Sequence, residues 1–440
     1  MKTFFRLIIL GVLLYFGYNY VKENKPSVAA ELQPVLQKIQ EVSGELIDEL
    51  QHESTATVKQ DKDHTEEDQD HKGKTTVQHT SELQHAPGPK NQQKEKPSHN
   101  AGHRPQEVEE RNYNSTSNEE AGADWIKDIT RNYSPGSWEL LQYYEELPRK
   151  VSAQSENDYV INSSKSVDTY HYVKYHSKVA CINSMATNVH EIAHAYHSLK
   201  AYDYASQNNK ILKWENTSGY IYLSPTEGYP VSFPQKLLFP SRELAGRIPA
   251  SRKTFRYDTY ITGTNSTQDD GLFGLLDEFH AYYLDSRFCY DMYEVYKKIY
   301  PRPGQGLIKW ITHTQSTMAA FYEFHFFIQE YLLYMKEKHP ENFEQLMQYA
   351  PFRQAYDAIY ERYHQLVNDY RNLIVSEKER LNKEGKAEAV VEGNVLWIQY
   401  PGSSRKKGVN IIIDDVKKLQ TVLESNRYEP IQKEVKLSFR

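Results

Sequence analysis

The sequence predicts an α+β protein that is mostly helical after residue 270 and carries a small α/β segment at its C-terminus. Apolar residues recur at helical spacing in residues 272–300 and 314–386, with breaks at prolines. Short runs of β-branched residues predict strands at 390–391, 395–399 and 409–413, and a helix is expected at about 416–423. The region from Asp124 to Arg440 is dense in aromatic side chains and long enough to bury a large core.

The middle of the chain mixes helical and extended patterns. Helices are expected at residues 138–147 and 183–199, and strands at 159–161, 169–182 and 255–261. Residues 206–267 are rich in proline, glycine and serine, which predicts loops with short strands.

The composition excludes several classes of protein. The chain has 53 basic and 59 acidic residues and a net charge of -6, so it lacks the basic surplus of a nucleic-acid-binding protein. Two cysteines, Cys181 and Cys289, are too few for a disulfide-rich scaffold or a four-cysteine zinc site. Only one apolar run is long enough to concern a membrane, which excludes a transporter with many spans.

That apolar run lies at the N-terminus. Lys2 and Arg6 precede an almost wholly apolar stretch at residues 7–20, which is the pattern of an export signal. We expect residues 1–21 to be an uncleaved signal anchor, although small residues at 26–30 leave a cleaved signal peptide open. The rest of the chain is then expected outside the cytoplasm, either held at the cell membrane or secreted.

Two further segments separate this run from the aromatic-rich region. Residues 31–51 have the apolar spacing of an amphipathic helix. Residues 52–121 are almost devoid of aromatic residues and contain seven histidines, which predicts a disordered polar linker. The histidines could gather zinc, but their irregular spacing favours a solvated linker. The expected domains are therefore residues 122–387 and a smaller segment at 388–440.

One motif contains residues suited to metal binding and catalysis. His190, Glu191 and His194 form a His-Glu-x-x-His pattern within a predicted helix. Residues four apart lie on one helical face, so the two imidazoles can bind one Zn²⁺ at ~2.0–2.1 Å. Glu191 lies one step round the helix, where a carboxylate can act as general base toward water on the metal.

A third ligand has to come from elsewhere. Lys200 occupies the position where metzincins carry their third histidine, so that class is excluded. His197 is seven residues after His190, too far along a straight helix to reach the same ion. Glu278 is the preferred candidate because an acidic residue in so apolar a helix needs a partner, while Glu215 remains an alternative.

The His190–His194 motif, with Asp277-Glu278-Phe279-His280-Ala281-Tyr282-Tyr283 downstream, resembles the gluzincin metallopeptidases, and its second part is similar to the catalytic domain of anthrax lethal factor-like enzymes. The resemblance covers only these two segments. It implies a zincin-like catalytic domain, one Zn²⁺ and cleavage of peptide bonds. By position, His190, His194 and Glu278 match the zinc ligands and Glu191 the general base.

The sequence departs from thermolysin-type members at one point. Four residues after the ligand glutamate, where they carry an aspartate that orients a zinc histidine, this chain has Tyr282, and the nearest acid on that face is Asp285. The resemblance also implies a tyrosine or histidine that stabilises the oxyanion, for which Tyr257, Tyr260 and Tyr282 are candidates.

Two hypotheses about function follow from these observations. The first is a membrane-tethered zinc endopeptidase outside the cytoplasm, with a protein or peptide substrate and no nucleic-acid partner. The alternative is a non-catalytic surface-binding or structural protein on the same scaffold. The cysteines flank the motif segments and are expected either to form a disulfide or to remain buried thiols.

Overall fold

The computed structural model describes residues 121–263 and 266–436, and every structural statement below concerns those residues. The helices are α1 (Ala123–Tyr133), α2 (Pro135–Glu146), α3 (Lys178–Gln207), α4 (Tyr257–Tyr260), α5 (Ser266–Asp269), α6 (Leu272–Asp291), α7 (Tyr293–Ile299), α8 (Gln305–Lys338), α9 (Pro340–Gln348), α10 (Ala350–Lys383), α11 (Lys417–Leu423) and α12 (Glu429–Lys436). The strands are β1 (Lys150–Gln154), β2 (Val160–Ser164), β3 (Asn216–Ser224), β4 (Glu227–Pro234), β5 (Glu388–Glu392), β6 (Val395–Gln399) and β7 (Lys406–Asn410).

The strands form small antiparallel sheets, and helices make up most of the rest. The pairings are β1 with β2, β3 with β4, and the three strands β5-β6-β7 in that order. The predicted α+β class is confirmed, as is the dominance of helices after residue 270.

Helix α3 is the central element. It runs for 30 residues and begins where the Ser177 hydroxyl accepts a hydrogen bond of 3.2 Å from the Ala180 N–H. No glycine or proline interrupts it, and apolar side chains such as Ile182, Val189 and Ile192 are buried on several faces. A helix that is apolar on several faces belongs inside the core, so α3 is held by neighbours on more than one side.

Helix α6 packs against α3 on one side and α8 on the other. Gly271 is the N-cap residue of α6, and no side chain caps the helix. Gly271 has φ 54°, which disfavours other residues, and a Cβ there would lie 2.2 Å from the carbonyl oxygen of Phe239. The chain therefore needs glycine where it turns into α6.

The C-terminal strands and helices pack on the same core. Leu396 and Ile398 of β6 are fully buried, and the Tyr370 hydroxyl of α10 donates a 2.6 Å hydrogen bond to the carbonyl of Ile411. Glu330 of α8 accepts a hydrogen bond of 2.9 Å from Arg427. The expected division at residues 387/388 falls between α10 and β5, and as a domain boundary it stays a prediction.

Two expected strands are helical or irregular instead. Residues 169–177 form turns because two polar side chains of α3 bind their backbone: Asn188 accepts from the Tyr172 N–H at 3.2 Å, and Ser184 accepts from the Lys174 N–H at 2.8 Å. Helix α3 then starts at Lys178, inside the expected strand. The other expected strand, residues 255–261, contains the short helix α4. Tertiary contacts overrode the β-branched and aromatic pattern in both places.

The N-terminal segments lie outside the described residues. The expected anchor at 1–21, amphipathic helix at 31–51 and linker at 52–121 therefore remain predictions. Among the helices of residues 121–263 and 266–436, none has the length and apolar character needed to cross a bilayer.

Candidate metal centre

The side chains selected from the motif meet between α3 and α6. His190 and His194 lie one turn apart on the face of α3 that packs against α6, and Glu278 lies on α6. His190 and Glu278 are buried, and His194 is partly exposed. One nitrogen from each histidine and one oxygen of Glu278 lie within 4.8 Å of one another. The two helices thus bring together three residues that are distant in sequence.

The three atoms form a nearly equilateral triangle. Nε2 of His190 lies 3.1 Å from Nε2 of His194, and Oε2 of Glu278 lies 3.4 Å and 3.6 Å from these nitrogens. Ligands at ~2.0–2.1 Å around a tetrahedral ion are separated by about 3.3 Å. Oε2 of Glu278 is buried and has no hydrogen-bond partner. The spacing and the donor atoms therefore fit a metal ion, with one coordination position remaining.

The charges at the triangle also favour a cation. Burial lowers the pKa of the His194 imidazole, but the carboxylates of Asp277 and Glu278 outweigh burial and raise it well above its usual value. Burial raises the pKa of Glu278, but its contacts with both histidines dominate and lower it to about 2. The carboxylates thus hold a positive charge between the helices, and a divalent cation can take the place of the proton.

Asp277 orients His194, a role that was not apparent from the sequence. Its Oδ2 lies 2.7 Å from Nδ1 of His194. A carboxylate only accepts, so Nδ1 carries the hydrogen and the lone pair of Nε2 points into the triangle. We had sought this partner four residues after Glu278, whereas it comes one residue before. Two consecutive acids in an apolar helix were the available signal.

A second acid lies behind His190. Oδ2 of Asp285 is 4.0 Å from Nδ1 of His190, and that nitrogen is buried without a hydrogen bond. The other oxygen of Asp285 accepts a 3.3 Å hydrogen bond from the Cys289 thiol, and burial raises the pKa of Asp285. Asp285, the acid identified from the sequence, therefore lies near His190 but is not hydrogen-bonded to it.

Two of the three candidate tyrosines lie at the site. The ring of Tyr282 packs edge-on against His190 with 4.5 Å between centroids, and its hydroxyl lies 3.1 Å from that of Tyr260. Burial raises the pKa of Tyr260, and the charge of Glu278 raises it further, so its hydroxyl stays protonated. The Arg256 guanidinium lies 4.4 Å from the Tyr282 ring centre. Tyr257 instead donates to the carbonyl of Ala245 at 3.1 Å.

Glu191 lies beside the triangle and is partly exposed. Its neighbour is Tyr172, whose pKa is raised by burial and by the charge of Glu191. Asn188 fixes this loop by donating to the carbonyl of Thr169 at 2.9 Å and accepting from the N–H of Tyr172. Glu191 therefore has a carboxylate that solvent can reach, next to a loop tied to the same helix.

The structure also shows where the other residues singled out from the sequence lie. Glu215 is exposed and does not belong to the metal-binding groups found in the described residues. Cys181 and Cys289 are free, buried thiols, so the disulfide alternative was wrong. His197 does not reach the triangle and lies behind it, with Asp277 and His280.

The case for a metal site comes from the geometry of this chain alone. The group formed by His190, His194 and Glu278 could hold a metal ion, while the identity of that ion belongs to the proposal below. No family model matches this chain, and comparisons with curated proteins and with solved structures found no significant similarity.

Proposed function

We propose that this chain is a zinc-dependent peptidase with a zincin-like catalytic domain. His190, His194 and Glu278 bind the ion, and Glu191 is the general base. The observation that carries the proposal is the triangle of ligand atoms with sides of 3.1, 3.4 and 3.6 Å. Two imidazoles, one carboxylate and one remaining position make up the ligand set of catalytic zinc.

Each protein group has a separate task. Bound zinc would polarise the scissile carbonyl and lower the pKa of a coordinated water. Glu191 is not part of the triangle and is partly exposed, so its carboxylate is free to take the proton of the attacking water and pass it to the leaving amine. Asp277 keeps His194 in the tautomer that presents Nε2.

The tyrosines supply hydrogen-bond donors. Tyr260 and Tyr282 hold their hydroxyls 3.1 Å apart beside the triangle, and both rings are only partly buried. Arg256 is stacked on Tyr282 and paired with the buried Glu323 at 2.6 Å, so it holds the Tyr282 ring in place. The pair is suited to donate to the oxygen of the carbonyl as negative charge develops there.

The setting of the reaction follows from the N-terminal sequence. The basic lead and apolar run of residues 1–21 support a protein held at the membrane with its catalytic domain outside the cytoplasm. The substrate in this proposal is a protein or peptide at that surface.

The experiment compares peptide cleavage by the wild type, Glu191→Gln and Glu215→Gln. A complex peptide library from a digested proteome is incubated with zinc-loaded full-length protein, and new termini are counted by mass spectrometry. Loss of the base should lower the cleavage rate by about 10²- to 10⁴-fold. The exposed Glu215 provides the matched control and should have no effect.

Metal content is measured on the same samples. Glu191→Gln should retain its zinc because residue 191 is not a ligand. A zinc-loaded Glu191→Gln protein that cleaves as fast as the wild type would defeat the mechanism. A wild type that binds zinc at the triangle but cleaves no peptide would favour the non-catalytic binding protein.

A further inference from the structure

A second group of buried side chains lies behind the predicted ligands. It consists of His197 on α3 with Asp277 and His280 on α6, and one ligand atom from each lies within 4.8 Å of the other two. His197 is 2% exposed and His280 is 0% exposed. The proposed reaction uses neither histidine, so their burial needs a separate explanation.

The hydrogen bond of His280 determines where its ring carries hydrogen. Nε2 lies 2.6 Å from the carbonyl oxygen of Tyr222, and a carbonyl only accepts, so Nε2 is the donor. The neutral ring then has its lone pair on Nδ1. That atom is buried and has no hydrogen-bond partner.

His197 and Asp277 face each other without a hydrogen bond. Nδ1 of His197 is 3.6 Å from Oδ1 of Asp277, which is longer than a hydrogen bond. Both atoms are buried and have no partner, since Asp277 uses its other oxygen for His194. Nδ1 of His280 is also buried without a partner, and the three residues offer ligand atoms that lie within 4.8 Å of one another.

The backbone of β3 leaves space for His197. A Cβ on Gly219 would lie 1.8 Å from Nε2 of His197, so any larger residue would displace the ring. The carbonyl of Tyr220 lies near the His197 ring, but neither ring nitrogen makes a hydrogen bond of good geometry. The ring is held with Nδ1 toward Asp277 by this close approach.

We propose that His197, Asp277 and His280 bind a second divalent cation of the zinc type, which fastens α3 to α6 behind the first site. Two imidazole nitrogens and one carboxylate oxygen favour zinc over Mg²⁺ or Ca²⁺, which prefer oxygen ligands. The 3.6 Å separation is close to the about 3.3 Å expected between ligands of such an ion. Because both histidines are buried, this ion is structural and does not meet substrate.

The two sites share Asp277. Its Oδ2 accepts from His194, and its Oδ1 faces the second group. An ion at the second group would fix the carboxylate that orients a ligand of the first. The inference concerns metal binding alone and holds whether or not the chain cleaves peptides.

The test counts zinc in the full-length protein. Wild type, His280→Gln and His194→Gln are dialysed against a metal buffer that fixes free Zn²⁺, and zinc per chain is measured by mass spectrometry. A glutamine amide at 280 can still donate to Tyr222. Histidines in residues 52–121 add the same background to every sample, so differences are compared.

His280→Gln should contain one zinc fewer than the wild type, and so should His194→Gln. The exposed residue His364 is the matched control, and His364→Gln should lose none. Equal zinc content in wild type and His280→Gln would overturn the inference and would leave the peptidase proposal intact.

A second measurement covers the case in which His280→Gln fails to fold, as judged by circular dichroism. His197→Gln removes a different ligand and should also lose one zinc. Anomalous diffraction at the zinc edge on wild-type crystals should give a peak among His197, Asp277 and His280, besides the one at the first group. A water molecule in place of that second peak would overturn the inference without any variant.

Discussion

Replacing Asp277 by asparagine tests how the metal centre is organised. The 2.7 Å contact between Oδ2 of Asp277 and Nδ1 of His194 has the length of a charge-assisted hydrogen bond. The side chains of His194 and Asp277 are only 23% and 19% exposed, so solvent screens this interaction weakly. An asparagine oxygen can still accept from Nδ1, and the substitution therefore removes the charge while retaining the hydrogen bond.

The size of the effect follows from that difference. Hydrogen bonds to charged groups contribute about 1.5–3 kcal/mol and neutral ones about 0.5–1.5 kcal/mol, so the loss is about 1–1.5 kcal/mol, or roughly tenfold in affinity. Partners that orient metal ligands typically change affinity by about 10- to 100-fold when mutated. We expect Asp277→Asn to raise the dissociation constant for zinc within that range.

The assay is competition for zinc with a chromophoric chelator at fixed pH. It is run in the His280→Gln background, so that only the first group retains its complete ligand set. Asp285→Asn serves as the matched control. Its carboxylate lies 4.0 Å from Nδ1 of His190 and makes no hydrogen bond to it, so a much smaller change is expected. Equal effects of the two substitutions, or none from Asp277→Asn, would refute the assignment of Asp277.

Two further predictions concern stability, each followed by urea unfolding. Gly219→Ala should lower the free energy of unfolding by about 1–3 kcal/mol, because its Cβ would lie 1.8 Å from His197. As the control, Gly136→Ala on α2 has no heavy atom within 4 Å of its Cβ and should not lower the urea midpoint. Equal midpoints for the two variants would contradict the close packing of His197 against Gly219. Burial raises the pKa of Glu330, but its hydrogen bonds, chiefly from Arg427, outweigh burial and lower it. A lowered folded pKa gives stability above the unfolded value of about 4.3 that is lost as pH falls through the folded pKa. The deficit of Glu330→Gln against wild type should therefore shrink between pH 7 and pH 3.5, and a constant deficit would rule out the ion pair as its source.

Much of the fold is predictable where one periodicity dominates. Helices α6 and α10 and strands β5 and β6 lie close to their expected positions because apolar spacing and burial agree there. Helix α8 begins at Gln305 instead of 314, and β7 (Lys406–Asn410) overlaps the strand expected at 409–413 only at its last two residues. The turns at 169–177 were not predictable, since they depend on Asn188 and Ser184 from a helix later in the chain. Long-range hydrogen bonds of this kind leave no local pattern.

The residues of the candidate site were also predictable only in part. His190 and His194 share a helical face by spacing alone, and Glu278 stood out as an acid in an apolar helix. The role of Asp277 depends on the angle at which α6 meets α3, which no single segment encodes. His280 gave no signal either, because a buried histidine in a core helix has the same sequence pattern whether or not it binds an ion.

The two groups of ligands arise from one contact between helices. Contacts run in opposite directions along α3 and α6, with His190 against Tyr282, His194 against Asp277 and His197 against Phe273, so the helices pack antiparallel. Consecutive residues on a helix point about 100° apart. Glu278 can therefore complete the first group while Asp277 lies between the first group and the second. Any slip of one helix along the other would break both groups, so both proposed metal sites depend on the packing of α3 against α6.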